Sequence, residues 1–106
     1  MNCDTAPIAE VEDWLAPRLG WTKYGDKWSC DGGGEYNRPM IGHTMEDAIA
    51  CLPPGWDWSC TAHNWYAVNL HNPQQHVELV RINSPRDELV RLAAKAWMAQ
   101  EENNEK

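Results

Sequence analysis

The chain contains no phenylalanine, few basic residues and no long apolar run. Each shortage excludes something. Nine Lys and Arg stand against sixteen Asp and Glu, a formal net charge of −7 at pH 7. Duplex affinity comes from cations set against phosphates, so this balance argues against a nucleic-acid duplex as partner. No run approaches the roughly 18 apolar residues of a membrane-spanning helix, and no apolar leader follows Met1. These absences predict a soluble cytoplasmic protein with no membrane partner. In that compartment the four cysteines, Cys3, Cys30, Cys51 and Cys60, are expected as thiols. There is no internal repeat. The glycines in Asp31-Gly-Gly-Gly-Glu35 are not a phosphate loop, because no Lys-Ser or Lys-Thr follows at the required place.

What the chain has in excess is tryptophan: seven Trp against three Tyr. Each large aromatic buries roughly 150–250 Å2. They either replace Phe as core filler, or one or two line a ligand site or a subunit interface. At 106 residues the chain predicts one domain, 1–106, with an ordered core over about 6–102 and a frayed tail at 103–106. Much of the acid falls in predicted helices and the tail, as a solvated surface. Arg38, Arg81, Arg86 and Arg91 remain able to form a local anion pocket.

Local patterns place the elements. Thr5 or Asp4 reads as the cap of a first helix, with Pro7 in its first turn. Ile8, Val11, Trp14 or Leu15 and Leu19 share one face, Pro17 kinks or ends the regular part and Gly20 is a stop signal. Residues 21–42 read as irregular, with a short hairpin around Gly25-Asp26 and a Gly-rich loop. Thr44-Met-Glu-Asp47 has the form of a capping box and opens a helix to about Leu52. Its stripe is Met45, Ala48, Ile49 and Leu52, and Pro53-Pro-Gly55 ends it.

Strands follow. Trp56, Trp58 and Cys60 alternate with Asp57 and Ser59, which gives one buried face. After a turn at His63-Asn64, Tyr66, Val68 and Leu70 alternate with Trp65, Ala67 and Asn69. A turn at Asn72–Gln75 leads to a third strand, Val77–Ile82. The last two strands are apolar in both phases, so both sheet faces are expected to be partly covered, and Trp65 lies on the less apolar phase. Ser84-Pro85 caps a last helix to about Glu102, with Leu89, Leu92, Ala93, Ala96 and Trp97 inward. The predicted fold is α+β: an antiparallel three-stranded meander packed with three helices, α/β/α sandwich-like.

This layout resembles the phage ABA sandwich domain, a family of small phage and prophage proteins of largely unknown function. The likeness is carried by Leu19-Gly-Trp21, the Trp-containing Gly-rich stretch 28–36, His43-Thr-Met-Glu-Asp-Ala-Ile-Ala50, Gly55-Trp-Asp-Trp58 and Ser84-Pro-Arg-Asp-Glu-Leu-Val-Arg-Leu-Ala-Ala94. It spans roughly residues 8–100. It implies origin and fold, and offers no catalytic residues to carry over.

Candidate chemistry is sparse. Cys51, Cys60 and His63, with His43 or His71, are zinc ligands by type, but no second paired knuckle accompanies Cys60-x-x-His63. Cys30, Cys60, His43 and His63 match no nucleophile motif. The pairs Glu46-Asp47 and Asp87-Glu88 sit at helix starts, where the helix dipole explains them. No catalytic residue, metal or cofactor is therefore expected, and no enzyme. A ligand site is expected instead from Trp28, Tyr36, Arg38 and His43, with Trp65, because aromatic faces stack on bases and Arg grips phosphate. With the phage likeness this gives two expectations, both in the cytoplasm of an infected bacterial host. One is a homo-oligomeric counter-defence sponge that sequesters a nucleotide immune signal, a cyclic oligonucleotide or an ADP-ribose derivative of the CBASS or Thoeris type. The other is a protein-binding inhibitor of a host defence enzyme, anti-CRISPR-like or restriction-inhibiting.

Overall fold

The computed structural model describes residues 2–30, 34–39, 41, 44–82 and 84–104. Helix α1 spans Ile8–Leu15, and its N-cap is Pro7, with no side chain bonding its first N–H groups. Thr5 and Asp4 are not its caps: Thr5 and Ala6 donate their N–H groups to Asn2 O in a preceding turn. The fixed φ of proline, −55° here, presets the helical start without a polar cap. Val11 and Leu15 are buried as their spacing predicts. Pro17 cannot continue an α-helix, and the chain tightens into a 3-10 turn, Ala16–Leu19, that Gly20 closes at φ 92°.

The hairpin forms where predicted. Strands β1 (Thr22–Tyr24) and β2 (Lys27–Ser29) pair around Gly25-Asp26, and Trp28 also bridges to Tyr36. Helix α2 is shorter than its stripe suggests, spanning Met45–Ile49. Thr44 Oγ1 accepts the Asp47 N–H at 3.1 Å, the predicted cap. The chain then tightens, with Cys51 N–H bonded to Ala48 O and Leu52 N–H to Ile49 O, before Pro53 forbids further helix. Met45 stands exposed.

Strands β3 (Trp56–Cys60), β4 (Asn64–Asn69) and β5 (Asn72–Val80) form the antiparallel meander, in the order β3-β4-β5. Its turns differ from expectation. Residues 61–63 make the first turn, where Thr61 Oγ1 accepts the N–H groups of His63 and Asn64, so Asn64 opens β4. The second turn is Leu70-His71, and Asn72–Gln75 belongs to β5. Pro73 is tolerated there because β5 is an edge strand whose register shifts between Val68 and Asn69.

The inward phase of β4 is the one that looked less apolar: Trp65 and Ala67 are buried, and Leu79 lies beside Trp65 in β5. The choice is made by the helix beneath. Helix α3 (Pro85–Asn104) starts where the Ser84-Pro85 signal predicts and continues past Glu102, so residues 103–104 are helical. It packs on β4 and β5, while α1 and α2 pack on α3. The layers run sheet, then α3, then α1 and α2. Among the described residues nothing covers the sheet's other face, where Asp57, Ser59, His76, Glu78 and Val80 are exposed. The expectation of two covered faces, as in an α/β/α sandwich, gives way to helices on one face. Because neighbours surround α3, Leu89, Val90, Leu92, Ala93, Ala94 and Ala96 are all buried. The alanines let the surrounding elements approach its backbone closely.

Arginines tie the helical layer together. Arg18 bonds both Glu101 oxygens and lies 3.5 Å from the Trp14 ring centroid. That hydrogen bonding holds the Glu101 carboxyl below its ordinary range, against a smaller opposing effect of burial. Arg86 bonds Glu12 on α1 and the Ile41 carbonyl. Burial works against its charge, but the hydrogen bonds to Glu12 and Asp87 outweigh burial and keep it protonated.

Gly55 starts β3's approach at φ 86°, and a Cβ there would stand 2.8 Å from His71 Cδ2. Gly20 has φ 92° with nothing near. Both G20A and G55A are expected to lower unfolding free energy in urea by about 1–2 kcal/mol for the left-handed backbone alone. G55A should cost more than G20A, because His71 must also move; equal losses would refute the close approach.

Candidate functional site

The structure separates the expected ligand residues. Trp28 and Tyr36 come together through two backbone hydrogen bonds of 2.8 Å each. The Trp28 side chain is buried, while Tyr36 is partly exposed and meets Trp21 edge-on, centroids 5.7 Å apart. Arg38 turns away to α1, pairing with Asp13 at 2.8 Å and donating to Ala9 O at 2.9 Å. His43 lies outside the described residues. Trp65 belongs to the other sheet, in its core, with Trp58 5.8 Å away and the Arg81 guanidinium 4.9 Å above its ring. Its ring face and its indole N–H are both engaged.

A different place offers space. A cavity of about 520 Å3 lies where the end of β5 meets the start of α3. Glu78, Val80 and Ile82 line it from the strand side, and Asp87, Arg91 and Lys95 from the helix. The last three recur every fourth residue, so one helix face carries them. Val80 and Ile82 are 65% and 72% exposed, among the most exposed large apolar side chains of the chain.

Glu88 shapes this cavity. It is 3% exposed, yet its carboxylate accepts Trp65 Nε1–H at 2.8 Å, Ile82 N–H at 3.0 Å and Ser84 N–H at 2.8 Å. A buried carboxylate is tolerated when donors surround it. These donors come from the sheet and from the β5–α3 connection, so one group sets the angle between them.

The cavity's cations are committed. Arg91 Nη1 donates to Cys3 O at 2.8 Å and Ala6 O at 2.6 Å. Lys95 Nζ reaches the Asp4 carboxylate at 3.0 Å and Glu78 O at 2.6 Å. A second hollow, about 420 Å3, shares Asp4 and Lys95 with the first, so their ion pair stands between the two. Four acidic residues (Asp4, Glu78, Asp87, Glu88) and two basic ones line the larger cavity, and Asp87 also pairs with Arg86 at 3.0 Å. Among the described residues the Glu78 carboxylate has no cationic partner.

Sequence reasoning assigned Asp87-Glu88 to the helix dipole, gave Arg91 only to a general anion pocket, and passed over Glu78 and Lys95. A signal was present: Glu88 falls four residues before Leu92 and eight before Ala96, a carboxylate in register with a buried stripe.

Of the proposed metal ligands, Cys51 is buried and its thiol donates to Asp47 O at 3.2 Å, whereas Cys60 is exposed. His71 packs against Gly55. Among the described residues no three His, Cys, Asp or Glu are grouped to hold a metal. No helix among them is long and apolar enough to cross a membrane. The chain matches no protein-family model, no curated protein and no solved structure. The likeness to phage ABA sandwich proteins therefore rests on the residues quoted for it.

Burial pushes the Cys51 thiol from 9.0 up to about 11, and the nearby Asp47 adds to the rise. The folded chain keeps that proton at a pH where the unfolded chain has lost it. This contribution is present below pH 9.0 and is lost as pH rises to about 11. Mapped maleimide labelling of the folded protein near neutral pH should modify Cys60 first and Cys51 last. Equal rates would contradict the buried placement.

Proposed function

We propose that this protein is a non-enzymatic binding domain that docks an extended, basic segment of another protein in the groove between β5 and α3. The observation that carries this reading is the 520 Å3 cavity, which joins exposed Val80 and Ile82 to an excess of carboxylates. Its volume falls within the range of roughly 300–1,000 Å3 typical of ligand sites. Aliphatic side chains of a guest would cover Val80 and Ile82, and its Lys or Arg would meet Glu78 and Asp87. The chain's net charge of −7 adds long-range attraction for such a partner.

Charge also ranks the two ligands expected from sequence. A nucleotide phosphate would enter a groove with four carboxylates, whose two cations are already bonded and whose lining includes no aromatic ring for a base. A protein-binding inhibitor of a host defence enzyme is one protein of the favoured kind.

Selection from a random displayed-peptide library tests this. Enriched sequences should combine aliphatic residues with Lys or Arg. The double variant E78K/D87K should weaken binding of the selected peptides by about tenfold or more, a loss of about 1.4 kcal/mol. No enrichment, equal binding by the charge-reversed variant, or thermal stabilisation by cyclic dinucleotides in place of peptides would overturn the reading.

A further inference from the structure

The backbone along the groove specifies how such a segment is held. Arg81 N–H bonds His63 O, and Leu79 pairs with Trp65. In an antiparallel ladder alternate residues turn both backbone groups to the same neighbour. The odd-numbered residues from 77 to 81 therefore bond β4, and Glu78, Val80 and Ile82 turn theirs to the free edge. Two observations agree with this parity. Glu78 O is taken by Lys95 Nζ, and Ile82 N–H is taken by the Glu88 carboxylate. Val80 stands between them with its N–H and C=O toward the groove.

We propose that the partner segment joins the sheet as a fourth strand on the free edge of β5, with its register fixed at Val80. This rests on the docking reading above and deepens it. Main-chain bonds from strand addition supply affinity, and side-chain pockets supply selectivity. An exposed edge ordinarily invites indiscriminate pairing. Here Lys95 and Glu88 fill the positions on either side, so within the groove lining a guest finds one complete donor–acceptor pair, at Val80. A guest residue opposite Val80 donates to Val80 O and accepts from Val80 N–H. The guest residues two positions before and two after it carry side chains along Ile82 and Glu78, where the carboxylate of Glu78 selects a basic one. The charge of the groove names the occupant as a cationic segment in preference to a second copy of this acidic chain.

The test uses the peptide acetyl-Lys-Val-Lys-Val-Lys-Lys-Lys-amide, whose second, fourth and sixth residues meet Ile82, Val80 and Glu78, and the isotope-labelled 106-residue protein. Under strand addition the Val80 amide resonance shifts, and its hydrogen exchange slows about tenfold at saturating peptide. The same peptide with its central Val N-methylated loses one backbone donor and should bind at least about fivefold more weakly. If resonances of Glu78, Ile82 and Asp87 shift while the Val80 amide is unprotected and the methylated peptide binds equally, strand addition is overturned and groove docking stands. If no groove resonance shifts at about 1 mM peptide, both fail.

Discussion

One buried carboxylate organises this protein. Glu88 lies almost fully out of water, where an unpaired charge would be strongly unfavourable. It is tolerated because the Trp65 indole and two backbone N–H groups of the β5–α3 connection converge on it. Those donors belong to parts of the chain about 20 residues apart in sequence, so satisfying the charge requires sheet and helix to meet at one angle. Once they do, the inward phase of β4 is chosen, the first turns of α3 lie beside β5, and the groove follows.

Helix α3 extends the same logic along its length. It satisfies indole donors at three levels: Glu88 takes Trp65, Gln100 takes Trp56 at 2.9 Å, and its own Trp97 donates to Cys51 O at 2.8 Å. Gln75, nearly buried in β5, bonds Asn69 and the Ala99 carbonyl. The tryptophans serve chiefly as core filler with a polar handle, and the handle fixes where each ring sits. Arg18, Arg86 and Arg91 then hold α1 and the N-terminal turn on α3. The groove is thus built on a strand and a helix rather than on loops, which suits a site that must present fixed geometry to a partner.

Much of the fold was legible because its signals are local. Thr44, Ser84-Pro85, Gly25-Asp26 and the alternation from Trp56 onward each act within a few residues, and each appears where it was read. The phase of β4 was not legible, since Tyr66, Val68 and Leu70 outnumber Trp65 and Ala67 as apolar groups, yet the latter face inward. A partner distant in sequence decided it. The fold separates the described ligand residues expected from aromatic and basic character for the same reason. Trp28 and Trp65 are drawn into the interior, and Arg38 is bound by Asp13, all through contacts that spacing does not encode. The groove depends on Glu78, Asp87, Arg91 and Lys95, ordinary surface charges until the fold sets them opposite one another.

The most direct measurement of this account is a double-mutant cycle between Glu88→Met and Trp65→Phe, read by urea unfolding. If the carboxylate joins helix to sheet as described, the pair should be coupled by about 1–3 kcal/mol, the range for a hydrogen bond to a charged group in the interior. Coupling below about 0.3 kcal/mol would mean the two side chains contribute independently, and Glu88 would not be the group on which the groove is built.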